Sequence, residues 1–167
     1  CMSITLDDGS HALWPFAGTC EHIIQVTPNE VKCVLTIHAL EPFPYQLGWH
    51  PCWRKPNSTN FAFSSMFEKD VDQIPTGRMV EPTTGPWDDC FTDVITEPTL
   101  HINNVAISLT SSAEYWVIYD ELEHSTCIEP QTGPPNAFNL FTDDFFDVAQ
   151  PQQEACAEFT IRLGTSA

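Results

Sequence analysis

Fourteen prolines and seven glycines are spread along the 167 residues, leaving few long windows free of both. Proline removes a backbone donor and clashes inside a helix, and glycine weakens helix and strand interiors alike. Between these breaks the sequence shows apolar–polar alternation, the period of a strand with one face buried. The runs EHIIQVT (21–27) and VKCVLTIH (31–38) flank Pro28-Asn29 and read as a hairpin. In the second run Val31, Cys33, Leu35 and Ile37 share one face, with Lys32, Thr36 and His38 opposite. NFAFS (60–64), NVAISLT (104–110), STCIE (125–129) and EFTIRL (158–163) predict further strands. YWVIYD (115–120), rich in aromatic and β-branched residues, predicts a central one. The only candidate helix lies within 136–149, where no clear 3.6-residue period is seen. Many short strands between turn signals predict an all-β fold, an antiparallel sandwich or barrel. No interior linker divides the chain, so residues 1–167 are expected to form one domain.

Charge narrows the partners. Twenty-three acidic residues face six basic ones, for a formal net charge of -17. Such a surface repels phosphate backbones, so nucleic acid is excluded as a natural partner. Anionic membranes and phosphorylated substrates are disfavoured on the same ground, and a neutral ligand fits. High acidity is equally a device for solubility in salt. No apolar run approaches the roughly 20 residues that cross a bilayer as a helix. No basic segment followed by an apolar stretch opens the chain, so no signal peptide is visible and a cytoplasmic location is expected.

The cysteines are Cys1, Cys20, Cys33, Cys52, Cys90, Cys127 and Cys156. Their number is odd, no C-x-x-C pair occurs and zinc-site spacing is absent. Most are expected to be reduced, buried and inert, in a reducing compartment. No metal site, phosphate-cradling glycine loop or nucleophile elbow is expected. His22, His38 and His101 stand alone and read as surface or sheet residues, and His124 as charge compensation for Glu121 and Glu123.

Three segments carry residues suited to chemistry. In PFPYQLGWHPCWRK (42–55), His50 sits among aromatic residues and prolines. It reads either as a packed structural histidine or as a proton donor on a rigid turn. In GPWDDCF (85–91), neighbouring aspartates on a strand point to opposite faces, so one of Asp88 and Asp89 at most enters a given cleft. They read as turn formers or as ligands for sugar hydroxyls, with Trp87 stacking on a pyranose. In CIEPQTGPPNAFN (127–139), Glu129 ends an apolar run and Pro130 can simply terminate pairing. Alternatively the proline-rich loop, which has little conformational freedom, fixes Glu129 and brings Gln131 beside it.

In this order, LGWHPCW, WDDCF and CIEPQTGPPNAFN resemble the aldose 1-epimerase (mutarotase) family, from about residue 14 to the C-terminus. The glutamate segment is the most specific part. The resemblance implies an antiparallel β-sandwich of the galactose mutarotase-like type, with a sugar site on its concave face and no cofactor. It implies interconversion of the α and β anomers of a free aldohexose, a neutral monosaccharide of glucose or galactose type. Carried over, Glu129 is the general base, His50 the general acid and Asp88 a ligand of sugar hydroxyls, with Asp89 its rival. Gln131 and Trp87 join them as substrate-binding candidates.

Family members are longer, and the part without a counterpart is N-terminal. It supplies strands and usually an arginine and a further histidine. Residues 1–13 show no match to the arginine motif, and His11 lacks the glycine that follows the family's first histidine. The sandwich is therefore expected to be incomplete at its N-terminus, and the chain a monomer or weak dimer. Two other readings compete: a carbohydrate-binding sandwich without catalysis, and an enzyme like the hexose-6-phosphate 1-epimerases. The latter would need a basic phosphate site, and the only arginines are Arg54, Arg78 and Arg162. A glycosidase using Glu129 and Asp88 as a carboxylate pair is a further reading and needs a defined separation of the two groups.

Overall fold

A computed structural model of the chain describes residues 1–6, 14–140 and 143–165. The strands are β1 (Met2–Leu6), β2 (Gly18–Val26), β3 (Glu30–Ala39), β4 (Phe43–Tyr45), β5 (Cys52–Arg54), β6 (Ser58–Lys69) and β7 (Pro75–Val80). They continue as β8 (Asp88–Ile102), β9 (Val105–Ser111), β10 (Tyr115–Tyr119), β11 (Ser125–Gln131), β12 (Asp147–Ala149) and β13 (Glu154–Thr165). Eleven of them form one sheet in the order β1-β2-β3-β13-β9-β8-β10-β11-β5, with β6 pairing β8 and β7 pairing β6. Each of these pairings is antiparallel. β4 and β12 make a separate two-stranded ribbon.

The predicted alternation sets the core. On β3, Cys33, Ile37 and Ala39 are buried, and on β9 so are Ile107 and Leu109. The register carries this face across the sheet. Cys33 lies opposite Phe159, and Ile161 opposite Leu109. Trp116 and Ile118 of β10 and Ile128 of β11 join Phe91, Leu100 and Phe159 in one apolar cluster. A second cluster gathers Ile37, Ala39, Phe43, Leu47, Ala149 and Ala157. Trp49 packs against both.

Two expectations need correcting. The region 136–149 holds no α-helix among its described residues. It forms two single 3-10 turns, Ala137–Asn139 and Asp143–Phe145, and then β12. Without an apolar stripe at 3.6 spacing there is no face for a helix to bury. Pro130 does not end β11: the strand runs through it to Gln131, with Trp116 opposite Pro130. The longest strand, β8, is a further departure. Only its first residues stand out in the sequence, because TDVITEP (92–98) breaks the alternation. Irregularities in the pairing with β6, between Asn60 and Phe63, absorb the mismatch.

Phe159 ties fold to site. Its ring lies 5.6 Å from that of Trp49 and 6.5 Å from that of Trp116, and it is 2% exposed. Replacing it with alanine removes a core side chain and leaves a cavity beneath Trp49. Phe159→Ala is expected to cost about 3–5 kcal/mol of stability, read by urea denaturation.

Candidate functional site

Glu129 sits in the middle of β11, where residues on both sides of the strand are buried. On a strand the backbone polar groups of successive residues point to alternate neighbours. The amide of Ile128 donates to the carbonyl of Pro51 at 3.4 Å, and the Pro130 carbonyl accepts from the Trp49 amide at 3.1 Å. Positions 128 and 130 thus face the segment 47–51, and Glu129 faces Val117 of β10. The donor that Pro130 lacks would have pointed at the irregular segment, so the proline costs β10 no ladder bond. Two further bonds extend the lacing: the Leu47 amide donates to Thr132 Oγ1 at 2.9 Å, and the Thr132 amide to the Leu47 carbonyl at 2.8 Å. Gly48 bridges to Gln131, so close that a Cβ there would lie 3.0 Å from the Pro130 carbonyl oxygen.

This lacing brings His50 to Glu129. His50 Nε2 lies 3.0 Å from Glu129 Oε1. The two side chains differ sharply in setting: His50 is 72% exposed and Glu129 6%. Both line an open cleft of about 230 Å³ with Gln46, Trp49 and Gln131. Burial pushes the Glu129 carboxyl above the ordinary carboxylate range. His50 opposes that shift, the Asp88 carboxylate adds to it, and a hydrogen bond from Gln131 opposes it. A cleft of about 270 Å³, lined in part by Tyr45, Tyr115, Phe145 and Asp147, contains none of the sequence-predicted residues.

Register places the two aspartates on opposite faces of β8. Tyr119 pairs Cys127 on one side and Asp88 on the other, while Val117 pairs Glu129 and Cys90. Residues directly opposite share a face, and so do residues two apart. Asp88, Cys90, Cys127, Glu129 and Gln131 therefore lie on one face. Asp89 falls with Phe91, Trp116, Ile118 and Ile128 on the other, though it is only partly buried. Asp88 and Asp89 nevertheless both line one small cavity with Lys69, Cys90 and Val117, and neither is among the residues lining the cleft of Glu129 and His50.

Trp87 needs a correction. Its ring lies 5.6 Å from Phe61 and 5.8 Å from Phe91, and its indole donates to the Thr83 carbonyl at 3.0 Å. It packs on the core face and not beside Glu129, so the role of sugar platform does not fit it. Trp49 is the indole that lines the cleft.

Three features went unread in the sequence. His22, taken as an isolated histidine, lies opposite Leu35 on the inner face of the hairpin. Its Nε2 accepts from Trp49 Nε1 at 3.2 Å, which fixes the indole next to His50. The alternation of His22 with Ile24 was the available signal. Lys69, at the end of β6, lies 3.2 Å from Asp89 Oδ1 and 4.0 Å from Asp88 Oδ2, and donates to the Asp88 carbonyl. Its side chain is 16% exposed, so it offsets the aspartates from beneath. Cys52 and Cys127, directly opposed on β5 and β11, are joined by a disulfide. Cys33 and Cys90 are free and buried as expected, Cys20 is half-buried, and Cys1 and Cys156 are free but exposed. His11 lies outside the described residues.

Comparisons with known proteins bear on family and fold. The family model for aldose 1-epimerase matches residues 1–163. No curated protein matches the chain by sequence. Among solved structures, a galactose mutarotase-like protein from Clostridium acetobutylicum superimposes with a TM-score of 0.83 at 15% identity, over 98% of this chain and 62% of its own. An aldose epimerase homologue from C. elegans gives 0.81 at 16% identity, over 99% and 66%. The galactose 1-epimerase of Lactobacillus acidophilus NCFM gives 0.79 at 11% identity, over 99% and 62%. The fold is thus the antiparallel galactose mutarotase-like sandwich, and the chain spans less than two thirds of the length of these three structures.

Burial is expected to make the Glu129 carboxyl titrate above the ordinary glutamate value of about 4.3. A carbon-detected NMR titration is expected to place its midpoint there, and to find it lower in Asp88→Asn, where one like charge is gone. The sign for stability follows. A raised folded-state pKa gives stability that is full below the unfolded value and lost as pH rises through the folded one. Glu129→Gln is therefore expected to melt higher than the parent at pH 7 and close to it at pH 4.

Proposed function

The chain belongs to the aldose 1-epimerase family, and from that premise we propose that it interconverts the α and β anomers of a free, neutral aldohexose. The observation that carries this reading is the pairing of a buried carboxylate with an exposed imidazole, 3.0 Å apart in one cleft. Mutarotation opens a cyclic hemiacetal and closes it on the other face of the carbonyl. A base takes the proton of the anomeric hydroxyl while an acid protonates the ring oxygen, and the roles reverse on closure.

Glu129 is the base in this scheme. Burial makes it a stronger base than a solvated carboxylate, which draws it toward the pH at which it works. His50 is the acid: its exposure lets it regain a proton from solvent after each transfer. Gln131 holds the carboxylate in orientation through its hydrogen bond. Asp88, on the same face, accepts hydrogen bonds from sugar hydroxyls. Trp49, held by His22, offers an apolar wall for the sugar ring. Neither lysine nor arginine is among the residues lining the cleft, which favours a neutral sugar over its phosphate ester.

A second reading, sugar binding without turnover, is favoured by one fact. The chain covers only 62% of the Clostridium acetobutylicum structure that it matches. Polarimetry of freshly dissolved α-glucose and α-galactose separates the two. Faster mutarotation with the parent chain, falling about 10²–10⁴-fold in Glu129→Gln, is the expected outcome. The rate is also expected to fall on acidification as Glu129 takes up a proton, with that limb above the ordinary carboxylate range. Calorimetric sugar binding without any acceleration would establish the binding module instead. Equal rates for parent and variant would remove Glu129 as the base.

A further inference from the structure

We propose that Cys52, Cys127 and His50 form a site for a thiophilic divalent cation such as Zn²⁺, open only when the Cys52–Cys127 bond is reduced. The three ligand atoms, one ring nitrogen of His50 and the two sulfurs, all lie within 4.8 Å of one another. Sequence spacing could not reveal them as a set, because the two cysteines stand 75 residues apart and meet only through the register of β5 with β11. His50 is two residues from Cys52, and its Nδ1 is 3.9 Å from Cys52 Sγ. A tetrahedral Zn²⁺ with sulfur at about 2.3 Å and nitrogen at about 2.0–2.1 Å spans a sulfur–nitrogen edge of roughly 3.5 Å. The imidazole is therefore already close to ligand distance.

The second observation concerns the other side of the ring. A histidine bound to a metal through one nitrogen donates its second N–H to a carboxylate or carbonyl, which fixes the tautomer and the ring plane. His50 has that arrangement in place, with Nε2 3.0 Å from Glu129 Oε1. Metal at Nδ1 and hydrogen at Nε2 are compatible. Access is also provided, because Cys52 is exposed while Cys127 is buried at the base of the site. Three protein ligands leave a fourth position for solvent.

The chemistry balances with a thiol reductant. A dithiol gives two electrons and two protons to the Cys52–Cys127 bond and becomes a disulfide itself. The two freed thiols lose their protons to solvent when they ligate the cation, so binding tightens as pH rises. Exchange with the disulfide of a small thiol returns the sulfurs to each other: that disulfide takes the two electrons and two protons, leaves as two thiols, and the ion is ejected. The site is thus a thiol-based switch between two states of one pair of strands.

The test uses the full chain, reduced with a phosphine and freed of it without air, and titrated with Co²⁺ as a spectroscopic substitute for Zn²⁺. The expected result is one equivalent bound, with a thiolate-to-cobalt charge-transfer band and tetrahedral visible bands that Zn²⁺ bleaches. The oxidised chain and Cys52→Ala should lose both, and His50→Ala should lose or shift the visible bands. Cys52 is exposed, so its variant tests the site without disturbing the core, and far-UV circular dichroism checks that it is folded. Absence of the bands in reduced, folded parent chain would overturn the proposal. So would bands of equal strength in Cys52→Ala, which would assign them to the other thiols. Because the readout is the metal's own absorption, it is independent of any turnover of sugar.

Discussion

A missing hydrogen organises this molecule. Pro130 has no amide N–H, and the alternation of β11 points that position toward the segment 47–51 and away from β10. The ladder with β10 stays whole, while the other edge of β11 is left to a chain that need not be a regular strand. The Trp49 amide, the Leu47 amide and the Gly48 backbone fill that edge. Their joint effect is a fixed offset between Gly48-Trp49-His50 and Glu129, and with it the meeting of imidazole and carboxylate. The loop beyond is equally constrained. A Cβ on Gly133 would fall 2.2 Å from both the Gln46 amide nitrogen and the Phe145 carbonyl oxygen. Gln46, which packs there, is also the first residue of the cleft wall.

How much of this was legible in the sequence depends on how local the cause is. The hairpin of β2 and β3, and the strands β9 and β13, announce themselves by alternation because one face of each is buried, and β10 by its aromatic and β-branched residues. β11 shows only in part, since residues on both sides of it are buried and its last pair contains proline. β8 escapes because its middle is irregular and its partners change along its length, from β10 to β6 and β9. No pattern inside a single run records such a change of partner.

The site divides in the same way. Glu129, His50 and Gln131 line one cleft, and their segments carry distinctive residues in order, whereas Asp88 shares the face of Glu129 but lines another cavity. Trp87 was misplaced because adjacency to Asp88 says nothing about the face its ring chooses, and Phe61 and Phe91 decide that. Lys69, His22 and the Cys52–Cys127 bond are products of strand order alone. Each joins residues far apart in sequence, and each is ordinary in its own neighbourhood. Lys69 stands where two aspartates begin one strand, whereas Lys32, Arg78 and Arg162 pair with glutamates at the surface.

The unequal exposure of the pair has a kinetic meaning. Water reaches the His50 ring freely, whereas the Glu129 carboxyl is almost sealed. A proton on the carboxyl can leave to the imidazole or to whatever occupies the cleft, and hardly any other way. In the reaction proposed above, the two groups act as one relay with a single door to bulk solvent. The identity of the molecule standing in the cleft decides whether the proton travels through the door or past it.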